Sequence, residues 1–464
     1  MKYLANTSTL LRRLFLALLL FSGLFTLNSC QDDPELPADS PVLVNRWIKE
    51  IMDEVYYWLD DMKKPIAESS DPEDYFESLL FRPTDRFSEI FPDYQELING
   101  LQGVSKEAGY EIGLVQESGT QNVLAFVLYI KKGSPAEAQG LRRGDIITQI
   151  NGTTMTTSNF RDVIARRSDN HSITYFRYFP ESDQYQQQPT MNLQTVELAE
   201  NPNFLDTIYT VNNQKIGYVV YHFFAPGVDG DRRYDDQMDA IFGKFKNAGI
   251  NHLIVDFRYN GGGFVNSAVN LASLIGPGVT SNDVFSKTKY NSFIMGFEQF
   301  RNVQTKFLDK AQNLGPTLTG NRLYVITSSR TASASELIIN GLKPYMDVFL
   351  VGGKTVGKNV GSIPFEDEDN PANKYGLLPI VTMSFNRDDR SDYTNGFDPN
   401  IAISEFSQRN LLPLGDTQEY MLRTTLNQIL GLPQGRVALM DRKEIGSSLD
   451  AQVRFGRMIE DKIK

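Results

Sequence analysis

Apolar residues along this chain fall into three successive rhythms. Over Val42–Leu59, the residues Leu43, Trp47, Ile48, Ile51, Val55 and Trp58 recur at helical spacing, predicting an amphipathic helix with a wide apolar stripe. Both tryptophans of the chain lie on that stripe, which at this spacing is core material rather than a binding box. Asp71-Pro72-Glu73-Asp74 opens a second helix, with proline at its first position and acids in its first turn. From residue 103 to 182 the rhythm becomes strand-like, with Gly109–Val115 and Val123–Ile130 rich in β-branched and aromatic residues. Within this stretch Ser134 caps a short helix that Pro135 begins and Gly140 closes, and Asn151-Gly152 is a tight hairpin turn. From residue 203 to 430 strands alternate with helices, the signature of an α/β unit. Its strands are Lys215–Tyr221, Asn251–Arg258, Leu323–Thr327 and Val348–Val351. Its helices are Asp235–Ala248, ended by Gly249, and a closing helix from Asp416 to Leu430, capped by Asp416.

The expected architecture is therefore multidomain α+β. A helical N-terminal domain covers 42–102, a β-rich domain 103–182, an α/β core 203–432 and a C-terminal tail 433–464. The 464 residues, 41% of them hydrophobic, suffice for several such cores. The formal net charge of −11 argues against nucleic acid as a partner. A single cysteine excludes an intramolecular disulfide and a Cys-rich zinc site. The three histidines (His171, His222, His252) stand in no ligand-like spacing, so neither metal nor cofactor is expected.

The first 29 residues read as an address. Basic positions at Lys2, Arg12 and Arg13 precede the apolar run Leu14–Leu27, which is short for a membrane span and suits an export signal. The run ends in Leu27-Asn28-Ser29-Cys30, which resembles a bacterial lipobox, so Cys30 is expected to carry the lipid. Residues 30–41, acidic and proline-bearing, form an extended tether. The expected location is the outer membrane, on its periplasmic face or at the cell surface.

Three segments carry candidate chemistry. Asp256-Phe257-Arg258-Tyr259-Asn260-Gly261-Gly262-Gly263 ends a strand with bare backbone N–H groups, suited to phosphate or to an oxyanion. The following Phe264-Val265-Asn266 lacks the Gly-Lys-Ser/Thr of a phosphate loop. Thr331-Ala332-Ser333-Ala334-Ser335-Glu336 opens a helix. Ser333-x-x-Glu336 is a capping box, or else Ser333 is a nucleophile at a helix N-terminus beside the N–H of Ala334. Gly353-Lys354-Thr355-Val356-Gly357-Lys358 places lysines between glycines after a buried strand. Burial lowers a lysine's pKa far enough for it to act as a base without histidine; a surface loop binding an anion is the alternative.

Gly133 to Gly152 resembles a PDZ domain, which accepts an extended peptide as an added strand. The resemblance assigns the terminal-carboxylate loop to Gly109, Tyr110, Ile112 and Gly113, with Glu111 an unexpected acid inside it. The three segments together resemble the C-terminal (tail-specific) processing peptidases. In that family a Ser-Ala-Ser-Glu-like run is followed 25 positions later by a lysine in a Gly-Lys pair, which here selects Ser333 and Lys358. The resemblance implies a ClpP/crotonase-like core, with Ser333 attacking a peptide carbonyl and Lys358 as general base and then acid. It places the oxyanion hole on Ala334 and Gly262 or Gly261. Many members carry an orienting glutamine four residues after the lysine; here Ser362 stands there, so Ser362, Thr331 or Ser335 would orient the amine. The implied partners are a protein or peptide substrate with an extended C-terminal segment, and a membrane through the lipid. A non-catalytic peptide-binding lipoprotein on the same scaffold is the alternative, and an esterase or amidase with the same dyad a third.

Overall fold

The computed structural model of the chain describes residues 36–434, 440, 442–460 and 463. The leader, Cys30 and the tether up to residue 35 lie outside the described residues. The helical start comprises α1 (Pro41–Val55), α2 (Pro72–Leu79), β1 (Glu89–Phe91) and α3 (Tyr94–Leu101). Asp71 caps α2 by accepting the Glu73 N–H at 2.9 Å. Val44, Ile48 and Met52 of α1 bury against Tyr75, Phe76 and Leu79 of α2, with Trp47 and Trp58 at the edge of the cluster. The aromatic stripe is therefore core.

The β-rich domain follows with β2 (Val104–Glu107), β3 (Tyr110–Gln116), β4 (Val123–Ile130), α4 (Pro135–Ala138), β5 (Ile146–Ile150) and β6 (Thr153–Thr154). After these come α5 (Phe160–Ala165), β7 (His171–Phe179), β8 (Gln184–Gln187), β9 (Met191–Leu193) and β10 (Val196–Ala199). Ser134 Oγ accepts the Glu137 N–H at 3.2 Å at the head of α4. Asn151 and Gly152, at φ 49° and 70°, turn β5 into β6. Strands β8 and β9 both pair with β7, so the sheet runs past residue 182. The glutamine-rich stretch there carries little apolar rhythm and is held by backbone pairing.

The core contains β11 (Asn203–Val211), β12 (Gln214–Tyr221), α6 (Arg233–Ala248), β13 (His252–Asp256), β14 (Gly262–Phe264) and α7 (Val265–Ile275). It continues through β15 (Val284–Lys289), β16 (Val303–Lys306), β17 (Arg322–Thr327), α8 (Ala334–Leu342) and β18 (Asp347–Gly352). It ends with β19 (Val360–Ser362), β20 (Gly376–Leu378), β21 (Ile380–Phe385), β22 (Ile401–Ala402) and α9 (Tyr420–Leu430). Among the described residues one sheet runs β11-β12-β13-β17-β18-β22, parallel except at β11. The two-residue period of its strands serves two faces. Val219, Val255 and Val325 meet Phe242, Leu271 and Leu337 of α6, α7 and α8, whereas Tyr218, Ile254 and Ile326 meet Leu422 and Leu426 of α9.

Two expectations are corrected. Helix α9 starts at Tyr420 and is capped by Glu419, which accepts the Leu422 N–H at 2.9 Å; Asp416 instead holds the preceding turn through the Gln418 N–H. Residues 433–464 are no tail. They supply β23 (Lys443–Ser447), which pairs with β3, and β24 (Arg457–Ile459), which lies between β14 and β19 in the sheet β14-β24-β19-β21-β15-β16. Strands this short show no readable period, and long-range pairing alone places them. Strand β1 pairs with β20, fastening the helical start to the core.

Candidate active site

Ser333 sits in the tight connection between β17 and α8, at φ 62° and ψ −116°. A non-glycine residue held there stores strain, which the surroundings must impose. The Gly-rich loop imposes it. Ala332 N–H donates to Asn260 O at 3.1 Å, Thr331 Oγ1 donates to Phe257 O at 2.8 Å, and Ser335 Oγ donates to Asn260 O at 3.2 Å. Ser333 is fully buried, and its Oγ has no hydrogen-bond partner among the described residues. Of the capping box only the acid half is made: Ser333 N–H donates to Glu336 Oε2 at 2.8 Å.

Glu336 does more than cap. The same Oε2 accepts the Lys358 N–H at 2.8 Å, while Oε1 accepts the Gly357 N–H at 2.7 Å and the Thr355 hydroxyl at 2.5 Å. One buried carboxylate thus binds the backbone of both candidate residues. Burial pushes its pKa up against the pull of those donors.

Lys358 is fully buried, whereas the side chain of Lys354 is 49% exposed and pairs with Asp398 at 3.1 Å. Burial first, then the neighbouring Arg457 guanidinium, holds the Lys358 amine well below the usual lysine range; Asp85, Glu336 and Glu89 oppose this. The Phe87 ring centroid lies 4.8 Å from Nζ. Asp85 pins that ring's loop by accepting the Phe87 and Ser88 N–H groups at 3.0 and 2.9 Å and the Tyr56 hydroxyl at 2.9 Å.

The amine donates to Gly456 O at 2.5 Å. Ser362, Thr331 and Ser335 therefore do not orient it. Ser362 Oγ is buried without a hydrogen-bond partner, and Thr331 and Ser335 are bound to the Gly-rich loop. No hydrogen bond joins Ser333 Oγ to Lys358 Nζ in this conformation.

Gly262, at φ 114°, lies against Ser333; a Cβ there would come 2.7 Å from Ser333 Cβ and strike Arg457 O. Its N–H donates to Asn260 Oδ1 at 2.9 Å, so it is already committed. Gly261 packs under Phe455. Ala334 N–H heads α8, among the first-turn donors that intrahelical acceptors leave open. The histidines bond elsewhere: His171 to Tyr110, His222 to Glu200 and His252 to Gln214. Among the described residues no cluster of His, Cys, Asp or Glu could hold a metal.

In the β-rich domain, Gly109 packs on Ser134 and Gly113 leaves room for the Phe406 ring. Tyr110 bonds His171 at 2.7 Å, and Arg167 stacks 4.4 Å over its ring. Ile112 N–H donates to Ser448 Oγ at 2.8 Å. Glu111 is neutralised by Lys131 at 2.9 Å, which holds its carboxyl below the usual range against the burial penalty.

Reading residue types missed Glu336 as a shared anchor, and it missed Asn260, Phe87, Gly456 and Arg457. A buried acid after a small-residue run was a signal for Glu336, hidden by the capping reading. A backbone carbonyl such as that of Gly456 has no sequence signature.

The chain is similar to known peptidases. The model of peptidase family S41 matches residues 215–403, spanning Ser333 and Lys358; the peptidase S41 N-terminal domain matches 44–89 and the PDZ domain 126–175. A protein of Staphylococcus aureus (strain COL) named as a CtpA-like serine protease is 23% identical over 386 residues, covering 81% of this chain and 69% of that one. A Staphylococcus epidermidis protein of the same name is 24% identical over 360 residues, covering 76% and 62%. The crystal structure of a Bacteroides fragilis protein described as an S41 protease shares the fold, with a TM-score of 0.69 at 24% identity, over 88% of this chain and 100% of that one. Three successive segments of the chain thus match the peptidase S41 N-terminal domain, a PDZ domain and peptidase family S41, and the chain as a whole is similar to CtpA-like serine proteases.

Proposed function

We propose that this chain is an exported, lipid-anchored endopeptidase that cuts peptide bonds with a Ser333–Lys358 dyad, its PDZ domain engaging substrate C-termini. The observation that carries the reading is the single Glu336 oxygen that binds the backbone of both residues, beside an amine whose proton burial disfavours. A neutral lysine has a lone pair to take the Ser333 proton as Oγ attacks the scissile carbonyl. The oxyanion is received by the N–H groups of Ala334 and Gly261, since the N–H of Gly262 is already held by Asn260 Oδ1. The ammonium then protonates the leaving amine, and water hydrolyses the acyl-enzyme with Lys358 again as base. The working step requires the amine to turn from Gly456 O to Ser333 Oγ, a tightening on substrate binding that unliganded sites commonly need. Lipidation at Cys30 would hold the enzyme at the outer membrane, on its periplasmic face or at the cell surface.

A fluorophosphonate probe is expected to label the full chain and to fail on Ser333→Ala, which together with Lys358→Ala should lose casein cleavage. Full hydrolysis by Ser333→Ala refutes the dyad. A second reading, a peptide binder without catalysis, draws on the unbonded Ser333 Oγ; tail-peptide binding with no labelling would favour it. Cys30→Ser should move the protein to the soluble fraction and abolish palmitate incorporation.

A further inference from the structure

The strand-accepting edge of the PDZ domain is filled by the chain itself. Strand β3 pairs with β4 on one side and antiparallel with β23 on the other, Gln116 opposite Lys443 and Gly113 opposite Ser447. Between Glu444 and Gly446 the register shifts, and Ile445 packs onto the apolar cluster that includes Ile112, Leu114, Phe160 and Val163. At the loop end of β3, hydroxyls finish the ladder. Ser447 Oγ donates to Ile112 O at 2.7 Å, and Ser448 Oγ accepts the Ile112 N–H at 2.8 Å. Ser448 Oγ in turn donates to Glu111 Oε2, and Gln452 reaches Glu111 Oε1 at 2.5 Å. A side-chain oxygen thus stands on the backbone N–H where an added peptide would present its terminal carboxylate.

We infer that residues 443–448 are a resident intramolecular ligand of the PDZ groove, and that peptides of the same kind compete with them. This rests on the reading that the PDZ domain engages substrate. The occupant defines the ligand class: an extended segment with an aliphatic side chain three positions before an oxygen acceptor, which in a free peptide is the C-terminal carboxylate. Eight residues beyond Ser448 lies Gly456, whose carbonyl holds the Lys358 amine, so the occupied groove and the catalytic amine share one short strap. Binding of a ligand that replaces the strap at β3 therefore carries the penalty of displacing it.

The test uses the full chain with Ser333→Ala and Cys30→Ser, so that binding is read without hydrolysis and no native thiol interferes. The probe is the fluorescein-labelled peptide Lys-Glu-Ile-Gly-Ser-Ser with a free C-terminus, followed by anisotropy. Ile445→Asp, which ejects the strap, is expected to tighten binding at least tenfold. Gln116→Cys with Lys443→Cys, opposite each other in register, is expected to abolish binding when oxidised and to restore the parent affinity on reduction. Equal affinity for the oxidised and reduced double variant overturns the inference, even where Ile445→Asp fails to fold. A binding shift in these variants, with no hydrolysis by the Ser333 form of any of them, would sink the dyad and leave the resident ligand standing.

Discussion

The backbone N–H groups of Ser333 and Lys358 donate to one and the same oxygen, Glu336 Oε2, each at 2.8 Å. The two nitrogens therefore lie within twice that distance, although the residues come from different loops. Glu336→Gln turns one of the two accepting oxygens into a donor and sets N–H against N–H. We expect kcat to fall about 100-fold with KM within a few-fold, because the groups are displaced rather than removed. Glu336 also raises the Lys358 pKa, so the acid-side rise of kcat/KM should move to lower pH in this variant. A variant with reduced kcat and no shift in its pH profile would leave Glu336 a purely structural cap.

Arg457 acts on the same amine with the opposite sign. Its guanidinium disfavours the ammonium, so Arg457→Gln should raise the Lys358 pKa and move the acid-side rise of kcat/KM upward in pH. A downward or absent movement would contradict Lys358 as the titrating base.

Burying Lys358 opposes folding. Its folded pKa lies below its unfolded value, so the unfolded chain binds more protons and stability climbs with pH between the two. Lys358→Met keeps the shape and removes the charge. It should be inactive and about 1 kcal/mol more stable near neutral pH, with the gain fading as pH approaches the unfolded lysine value of about 10.4. Urea unfolding at several pH values checks this, and a less stable variant at neutral pH would refute it.

The strain at Ser333 is open to measurement. Glycine accepts φ 62° without penalty, so Ser333→Gly should exceed Ser333→Ala in stability by about 1 kcal/mol, both being inactive. Equal midpoints of thermal unfolding would mean that the connection relaxes around alanine.

Much of this molecule was readable in its residues, and the limits have physical causes. The order of helical, β-rich and α/β regions followed from period alone, whereas small residues around a hydroxyl and an amine only nominated candidates, and the family resemblance with its 25-residue interval singled out Ser333 and Lys358. Glu336 was read as a cap because a sequence shows one local partner, whereas a buried carboxylate accepts several. Gly262 was offered as an oxyanion donor, but Asn260, two residues earlier, takes its N–H. The C-terminal strands were invisible because their places depend on β3, β14 and β19, which lie far back along the chain.

Phe87 and Arg86 reach Lys358 from the far end of the chain: the ring lies 4.8 Å from Nζ, and Arg86 Nη2 donates to Gly357 O at 3.0 Å. The roof over the amine is thus laid by the helical N-terminal region, and its floor by Gly456, more than three hundred residues further along the chain. Undocking either segment would let water reach that nitrogen and restore its proton. The low proton affinity of this amine is therefore a property of the whole fold and not of the loop that carries it.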